Sequence, residues 1–283
     1  MPERNLLKSK ELFIQALINY YNLEEINSFF YYFCDYTLGL SKIDLALNRQ
    51  YALSKSQQQI LDDATNRLQN FEPIQYIYGV SHFFNLDFKV TKDVLIPRPE
   101  TEELVQMIIK NHQEKENKIL DIGTGSGCIS ISLAKNLPNS NVSALDISKK
   151  ALKIARENAK LNNVMVNFLL LDILKIYSLP EKYDVVISNP PYVGIEEKKQ
   201  MKKNVLDFEP HLALFVSDEN PLIFYQKIGE LAFNHLNSNG ILYFEINQNY
   251  GLETLNTLSK IGFQKIELQK DFLGNDRFII ARR

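Results

Sequence analysis

The sequence predicts an α/β fold, a mostly parallel β-sheet covered by helices, preceded by a small helical domain. Over the first seventy residues, hydrophobic side chains recur every three or four positions, which is typical of amphipathic helices. After about residue 93, strand-like and helix-like segments alternate along the chain, an order that builds a parallel sheet with helices on both faces. A glycine-rich turn joins the first of these strands to a helix.

The composition is that of an ordinary globular protein and excludes several classes. The chain has 283 residues, 45% of them hydrophobic, and its 32 Lys and Arg against 34 Asp and Glu give a net charge of −2. A normal apolar content with little net charge argues against intrinsic disorder. The sequence contains neither the run of about 18 apolar residues that a membrane helix needs nor the apolar core of a signal peptide at its N-terminus. We therefore expect a cytoplasmic protein without a membrane segment.

Charge distribution and cysteine spacing bear on partners and metals. Neither the first ninety residues nor the remainder is basic, whereas proteins that hold a long nucleic-acid duplex usually carry a net positive domain or stripe. We expect no direct sequence-specific contact with nucleic acid. Cys34 and Cys128 lie far apart, and the four histidines match no metal site or catalytic triad. We therefore expect no bound metal and a reducing compartment.

The N-terminal segment, residues 1–72, is predicted to be a helical domain. Its hydrophobic stripes indicate three helices, at about residues 6–18, 23–33 and 55–70. No strand pattern is visible in this segment. We interpret the aromatic run from Phe29 to Phe33 as core and docking surface and not as a cofactor site.

Residues 73–92 are predicted to bridge this domain and a second one. From Phe84 to Val90, apolar and polar residues alternate, which indicates a half-buried strand and one arm of a hairpin. The second domain then spans residues 93–283.

Seven strands are predicted in the second domain, and helix-like segments separate most of them. Ser148 is the predicted N-cap of one such helix. Only a short turn around Gly274 separates the last two strands, so we expect them to pair antiparallel at an edge of the sheet. The predicted strands are 117–123, 141–146, 166–174, 183–189, 241–247, 264–270 and 277–283.

The turn after the first of these strands is predicted to bind a cofactor. Asp121 precedes three glycines at alternate positions, Gly123, Gly125 and Gly127, which let the backbone turn tightly and approach a ligand closely. The helix that follows offers unpaired N–H groups at its N-terminus. A purely structural turn is the alternative interpretation. The candidate cofactor residues at this turn are Asp121, Gly123, Thr124, Gly125, Ser126 and Gly127.

Neighbouring positions indicate which nucleotide the turn accepts. A dinucleotide fingerprint requires glycine at position 128, where Cys128 stands. The spacing, with an acidic residue before the glycines, instead looks like motif I of S-adenosylmethionine-dependent methyltransferases. Asp146 ends the next strand, where a carboxylate accepts hydrogen bonds from ribose hydroxyls, and Ile147 follows it. Asp172, with Ile173 beside it, is a candidate acceptor for the adenine amino group, with a helix cap or loop carboxylate as the alternative.

The fourth strand ends in Asn189-Pro190-Pro191-Tyr192, the candidate catalytic motif. Two prolines cannot continue a central strand and they stiffen the turn, so the Asn189 side chain and the Pro190 carbonyl are held at the sheet edge. An amide or aromatic amine nitrogen is a poor nucleophile because its lone pair is delocalised. Two fixed oxygens that accept both of its N–H hydrogens orient that lone pair and stabilise the positive charge that develops during methyl transfer. Asn189 would then contact the cofactor as well, the Tyr192 ring would form a wall, and a rigid surface loop is the alternative.

Together these motifs resemble those of the protein-(glutamine-N5) methyltransferases that modify peptide chain release factors, the HemK/PrmC family. The resemblance covers nearly the whole chain and implies a class I methyltransferase fold, a Rossmann-like sheet, with a helical N-terminal domain that helps to grip the release factor. It also implies S-adenosyl-L-methionine as the methyl donor and S-adenosyl-L-homocysteine as the product. The implied substrate is the glutamine of the Gly-Gly-Gln loop of class 1 release factors. The segments that carry the resemblance are 94–105, 121–129, 144–148, 188–193 and 208–214.

Residues 96–100, Ile-Pro-Arg-Pro-Glu, are the most specific part of the resemblance. In a relative that methylates a ribosomal protein, Ser-Pro typically follows the arginine, so Pro99 and Glu100 favour the release-factor branch. The substrate-lining residues that the resemblance implies are Ile96, Pro97, Arg98 and Glu100.

Several alternatives stay open at this point. A nucleic-acid methyltransferase acting on adenine or guanine amines shares the Asn-Pro-Pro-Tyr motif, but it would want a basic target-recognition region. A glutamine methyltransferase acting on a ribosomal protein is the second alternative. A non-catalytic binding module is disfavoured by Asn189, and a nicotinamide enzyme by Cys128. The lysines between Lys198 and Lys203 either steer an acidic partner or form a solvated helix face, and we expect a monomer.

Overall fold

The computed structural model describes residues 4–47 and 51–283, and the chain groups into two compact units. The first comprises Met1–Gly79 with Lys203–Phe208, and the second comprises Val80–Lys202 and Glu209–Arg283. Residues 1–3 and 48–50 of the predicted helical domain lie outside the described residues. The predicted boundaries at residues 72 and 92, and a bridging role for the segment between them, stay predictions.

The first unit is a helical bundle, in agreement with its hydrophobic periodicity. Phe30 and Phe33 lie in its core, so the aromatic run contributes core residues. A short strand pair, β1 (Arg4–Asn5) with β2 (Ala52–Leu53), runs antiparallel; the sequence shows no sign of it because two residues cannot display an alternating pattern. The helices are α1 (Leu6–Leu17), α2 (Leu23–Phe33), α3 (Lys42–Leu47), α4 (Lys55–Gln69) and α5 (Ile74–Tyr78).

The second unit consists of a central sheet, its flanking helices and two small strand pairs. Its strands are β3 (Val80–Phe83), β4 (Leu86–Lys89), β5 (Lys118–Ile122), β6 (Asn141–Asp146), β7 (Asn167–Leu170), β8 (Tyr183–Ser188), β9 (Val193–Gly194), β10 (Phe215–Val216), β11 (Leu236–Glu245), β12 (Gln264–Lys270) and β13 (Asp276–Arg282). The helices of this part of the chain are α6 (Pro99–His112), α7 (Cys128–Asn136), α8 (Lys149–Leu161), α9 (Lys203–Phe208, grouped with the first unit), α10 (Ile223–His235) and α11 (Gly251–Ile261).

Seven strands form the central sheet in the order β12-β13-β11-β8-β5-β6-β7. The five strands from β11 to β7 run parallel, and β13 is antiparallel to both β11 and β12. This confirms the predicted antiparallel pairing of the last two strands. Its physical reason is that the turn between them is too short for the crossover that a parallel pair needs. The fold is the predicted α/β architecture, a mostly parallel sheet with antiparallel pairing at one edge.

The position of β5 beside β8 places the site. From β5 the chain builds the sheet outward through β6 and β7, and then returns to add β8 on the other side. Ligands of such sheets bind at the carboxyl ends of the strands where this reversal occurs. Ser148 caps α8 as predicted, since its Oγ accepts a hydrogen bond from the Ala151 N–H at 3.1 Å.

Three predicted strands differ in extent. The strand expected at 166–174 is β7, which ends four residues early, at Leu170. The hairpin β3–β4 is antiparallel, but Phe84 and Asn85 form its turn with φ of 48° and 59°, so the strand expected from residue 84 begins at Leu86. β11 begins at Leu236, five residues before the expected start at 241, and a register shift in its pairing with β8 marks the irregular part. Among the described residues, no helix is both long and apolar enough to cross a bilayer.

Candidate active site

A cavity of about 320 Å³ lies at the carboxyl ends of β5, β6 and β8. Nine of the eighteen predicted site residues line it: Gly123, Gly125, Asp146, Ile147, Asp172, Ile173, Asn189, Pro190 and Pro191. The others do not line it, although all are described: Asp121, Thr124, Ser126, Gly127, Tyr192, Ile96, Pro97, Arg98 and Glu100. The strand ends therefore bring the two predicted motifs together around one space.

The three glycines of the turn have two different structural roles. All adopt positive φ angles, of 78° at Gly123, 55° at Gly125 and 84° at Gly127, where glycine carries no steric penalty. A methyl group at Gly123 or Gly125 would meet no described atom within 4 Å, whereas at Gly127 it would lie 2.7 Å from Ile131 Cδ1. The first two glycines thus leave open space beside the backbone, and the third permits close packing of α7.

Asp146 is held in place from two sides. Its Oδ2 accepts a hydrogen bond from the Gly125 N–H at 2.9 Å, and its Oδ1 accepts one from the Ser148 N–H at 2.8 Å. Burial raises the pKa of this carboxyl above its ordinary value, and the backbone hydrogen bonds oppose the rise. A carboxylate has about four acceptor positions, so Asp146 retains capacity for a ligand in the cavity.

Asp121 lies behind the turn, completely buried. Its Oδ2 accepts a hydrogen bond from Thr124 Oγ1 at 2.6 Å, and Thr124 Oγ1 lies 2.8 Å from Ser130 Oγ. Its Oδ1 has no hydrogen-bond partner in the described part of the chain. Burial raises the pKa of Asp121 to about 6, against the lowering effect of the Thr124 hydrogen bond. This carboxyl braces the turn from within.

Asp172 is a loop carboxylate that lies on the cavity wall. It lines the cavity beside Ile173, and it is also a loop carboxylate, since its Oδ1 accepts a hydrogen bond from the Leu174 N–H at 3.0 Å. Its Oδ2 lies 3.1 Å from Lys175 Nζ. Its proposed contact with adenine stays a prediction.

The turn after β8 is anchored at both ends. Ser188 Oγ donates a hydrogen bond to the Ile122 carbonyl at 2.7 Å, which ties the end of β8 to the end of β5. On the far side, Asn247 Nδ2 donates to the Tyr192 carbonyl at 3.1 Å. Because the two prolines fix their own φ angles, the position of Asn189 beside the cavity is strongly restricted.

A buried polar chain behind Asn189 escaped the sequence reasoning. Asn189 Nδ2 lies 3.5 Å from Thr101 Oγ1, which in turn donates to Glu245 Oε2 at 2.6 Å. The Tyr192 hydroxyl lies 3.5 Å from Glu245 Oε1. Thr101 and Glu245 are 2% and 1% exposed. The available signal was a carboxylate at the end of the otherwise apolar run Ile241–Phe244, where burial requires a partner.

The segment expected to line the substrate site does not line the cavity. Arg98 Nη2 forms an ion pair with Glu209 Oε1 at 2.7 Å, and Glu209 Oε2 accepts a hydrogen bond from the Ile96 N–H at 3.2 Å. The Glu209 side chain is 1% exposed and that of Arg98 is 32% exposed. Two residues just before this segment, Val94 and Leu95, line the cavity instead. A substrate contact by residues 96–100 stays a prediction.

Metal and thiol chemistry find little support in the described residues. They contain no group of three or more His, Cys, Asp or Glu side chains arranged to hold a metal ion. Burial raises the pKa of both Cys34 and Cys128 to about 12, so neither is a thiolate at neutral pH.

The cavity suits a cofactor that carries an adenosine group. Open space beside Gly123 and Gly125 admits a ligand against the backbone. Apolar walls from Ile147 and Ile173, with the carboxylate of Asp146, match a ring system and a sugar.

Comparisons with known proteins agree with this geometry. The methyltransferase small domain family matches residues 99–208, and the PrmC N-terminal domain family matches residues 30–79. A release factor glutamine methyltransferase of Flavobacterium psychrophilum is 50% identical over 271 residues, which cover 94% of this chain and 95% of the relative. That of Bacteroides thetaiotaomicron is 44% identical over 270 residues, 95% of this chain and 97% of the relative.

A solved structure supports the fold independently. A methyltransferase from Pyrococcus furiosus superimposes with a TM-score of 0.51 at 20% identity, covering 78% of this chain and 98% of that one. The protein is thus an S-adenosyl-L-methionine-dependent methyltransferase of class I fold. With relatives so similar over nearly their whole length, the chain belongs to the release factor glutamine methyltransferase family.

Proposed function

We propose that this enzyme methylates the side-chain amide nitrogen of the glutamine in the Gly-Gly-Gln loop of class 1 peptide chain release factors, and so modulates translation termination. The observation that carries the proposal is the position of Asn189 and Pro190 on the wall of the cofactor cavity. The names of the relatives support a release factor as the protein substrate.

The residues around the cavity hold the methyl donor. S-adenosyl-L-methionine, when bound, supplies an electrophilic methyl group on its sulfonium sulfur. Gly123 and Gly125 leave room for it beside the backbone, and Asp146 accepts hydrogen bonds from the ribose hydroxyls. Asp172 and Ile173 receive the adenine end.

The Asn189–Tyr192 turn activates the acceptor nitrogen by orientation. Asn189 Oδ1 and the Pro190 carbonyl each accept one N–H of the substrate amide, which aims the nitrogen lone pair at the methyl group. The same two oxygens would stabilise the positive charge that the nitrogen acquires on accepting the methyl group. The nitrogen then releases one proton to solvent, so no strong base has to act before the transfer.

The remaining parts of the proposal concern partners and location. The helical first unit contributes to the grip on the release factor, and the enzyme acts as a monomer in the cytoplasm without sequence-specific contact with nucleic acid. The family relationship supports the role in binding a release factor. The balanced charge of the chain, −2 overall, supports the absence of sequence-specific contact with nucleic acid.

A substrate comparison tests the function directly. Labelled S-adenosyl-L-methionine is offered with the enzyme to a full-length release factor, to its variant with Ala in place of the loop glutamine, to ribosomal proteins and to nucleic acid. We expect label only in the unaltered release factor. Label in the Ala variant, or in nucleic acid or a ribosomal protein instead, would contradict the proposal.

A further inference from the structure

We propose that Thr101 and Glu245 are positioning residues that select the orientation of the Asn189 amide, so that its oxygen faces the substrate. The inference rests on the proposed function, in which Asn189 Oδ1 accepts a hydrogen bond from the substrate glutamine. Thr101 and Glu245, both described, do not line the cavity, so their effect on the reaction passes through Asn189.

An asparagine side chain needs such a selection. Its two ends have nearly the same shape and opposite hydrogen-bonding roles, because Oδ1 accepts and Nδ2 donates. The torsion that exchanges them is broad and roughly two-fold. With Nδ2 toward the substrate, the side chain would present hydrogens to the hydrogens of the substrate amide. The productive arrangement therefore depends on a neighbour that tolerates only one end.

Thr101 is that neighbour, because its hydroxyl has a single proton. Thr101 Oγ1 lies 2.6 Å from Glu245 Oε2 and 3.5 Å from Asn189 Nδ2. An ionised carboxylate only accepts hydrogen bonds, so the Thr101 proton is directed to Glu245. The lone pairs of Oγ1 then face Asn189 and require a donor. Nδ2 occupies that side, and Oδ1 is left on the opposite one.

Glu245 sets the direction of donation along the series of hydrogen bonds from Asn189 through Thr101. This side chain at the end of β11 is 1% exposed, and its second oxygen lies within 3.5 Å of the Tyr192 hydroxyl, another donor. Burial raises the pKa of Glu245, whereas the Thr101 and Tyr192 hydrogen bonds and the nearby Arg277 cation lower it. While Glu245 is ionised, the Thr101 and Tyr192 hydroxyl protons both point toward it. The direction of every hydrogen bond in the series is then fixed.

Protonation of Glu245 would reverse this polarity. A neutral Glu245 donates to Thr101, and the Thr101 proton is then free to turn toward Asn189, which favours the unproductive orientation. The charged or titratable groups facing Glu245 are Glu100 from α6, Cys128 from α7, Tyr192 from the turn, Tyr225 from α10 and Arg277 from β13. We therefore expect kcat at saturating cofactor to decline toward acidic pH.

The test compares two substitutions at one position, with release factor as the substrate. Thr101→Val keeps the shape and removes the hydroxyl, whereas Thr101→Ser keeps the hydroxyl. We expect Thr101→Val to lower kcat about tenfold or more, since a misplaced hydrogen-bonding group is costly in catalysis. The KM for S-adenosyl-L-methionine and the calorimetric affinity for S-adenosyl-L-homocysteine should change little. Thr101→Ser should recover most of kcat.

A matched control exists in α11. Thr254 is fully buried, and its Oγ1 has no hydrogen-bond partner in the described ranges 4–47 and 51–283. Thr254→Val therefore makes the same chemical change at a buried position of another helix, and kcat should stay at the wild-type value.

The outcomes separate the two proposals. Wild-type enzyme that leaves the release factor unmethylated would overturn the proposed function. An active wild type with Thr101→Val and Thr101→Ser both unimpaired, or both equally impaired, would overturn only the positioning role. Glu245→Gln is the second variant, in case Thr101→Val does not fold: its side chain is neutral at every pH, so it cannot switch between an ionised and a protonated form. Its kcat should decline less than that of the wild type toward acidic pH, and an equal decline would contradict the role of Glu245.

Discussion

The cofactor side and the acceptor side of the cavity are assembled over very different distances along the chain. The glycine turn and Asp146 form the first. The hydrogen bonds to the Asp121 and Asp146 carboxylates connect residues at most 21 positions apart, and the bond from Asn158 Nδ2 to the Ser126 carbonyl spans 32. Asn189 on the second side is 88 positions from Thr101, and Thr101 is 144 from Glu245. The cofactor site is thus a local property of the sequence, whereas the acceptor site depends on the whole second unit.

The largest effect is expected at Asn189. Asn189→Ala removes one of the two oxygens that orient the acceptor nitrogen. We therefore expect kcat to fall by about 100-fold, and in any case by at least tenfold. The affinity for S-adenosyl-L-homocysteine, measured by calorimetry, should stay nearly unchanged because the glycine turn is untouched. Equal turnover of variant and wild type would refute the role of Asn189. A loss of cofactor affinity as large as the loss of kcat would show that the cofactor side and the acceptor side are not separate.

At Asp146 we expect a smaller effect, and one that falls mainly on cofactor affinity instead of kcat. Asp146→Ala leaves the Gly125 and Ser148 N–H groups without their acceptor and removes the proposed ribose contact, so cofactor affinity should fall about tenfold. At saturating cofactor, kcat should fall less than in Asn189→Ala.

A control for Asp146 lies at the other ends of the strands. Asp184 also accepts two hydrogen bonds, from the Lys118 N–H at 2.8 Å and from Asn237 Nδ2 at 2.7 Å. Asp184→Ala should lower stability and leave cofactor affinity unchanged. If both variants weakened cofactor binding equally, the assignment of Asp146 would be wrong.

The smallest effect is a pH dependence of stability at Asp121. Its pKa is about 6 in the folded protein against an ordinary value of 3.8. As pH rises between these values, the unfolded chain releases its proton first, so the wild type loses stability. Asp121→Asn has no such loss. The melting temperature of the variant minus that of the wild type should therefore be a few degrees more positive near pH 7.5 than near pH 4.5; a difference independent of pH would contradict this.

The parts of the fold that the sequence predicts are those encoded locally. Period-two and helical patterns identify the strands of the parallel sheet, and the short turn at Gly274 identifies the antiparallel pair. Ser148 is recognisable as a cap because the acceptor and donor are three residues apart. The two-residue strand at Arg4–Asn5 and the early start of β11 escape such reasoning, since neither produces a periodic pattern.

The candidate site divides in the same way. Glycines and carboxylates at strand ends are visible because the strand–turn–helix order fixes where they lie. Thr101 looks like any polar residue in an amphipathic helix, and only the packing of α6 against the sheet brings it to Glu245. Arg98 is similarly uninformative alone, because its partner Glu209 follows 111 positions later.

The adjacency of β5 and β8 has a practical consequence for altering substrate choice. Neighbouring strands lie about 4.8 Å apart, so the sheet itself sets the separation between the donor turn and the acceptor turn. Loops that leave β5, β8, β11 and the residues anchoring the two turns in place can then be redesigned to present other amides at the same distance from the methyl donor. The sheet backbone fixes the separation of the two turns, and the loops determine which substrate is bound there.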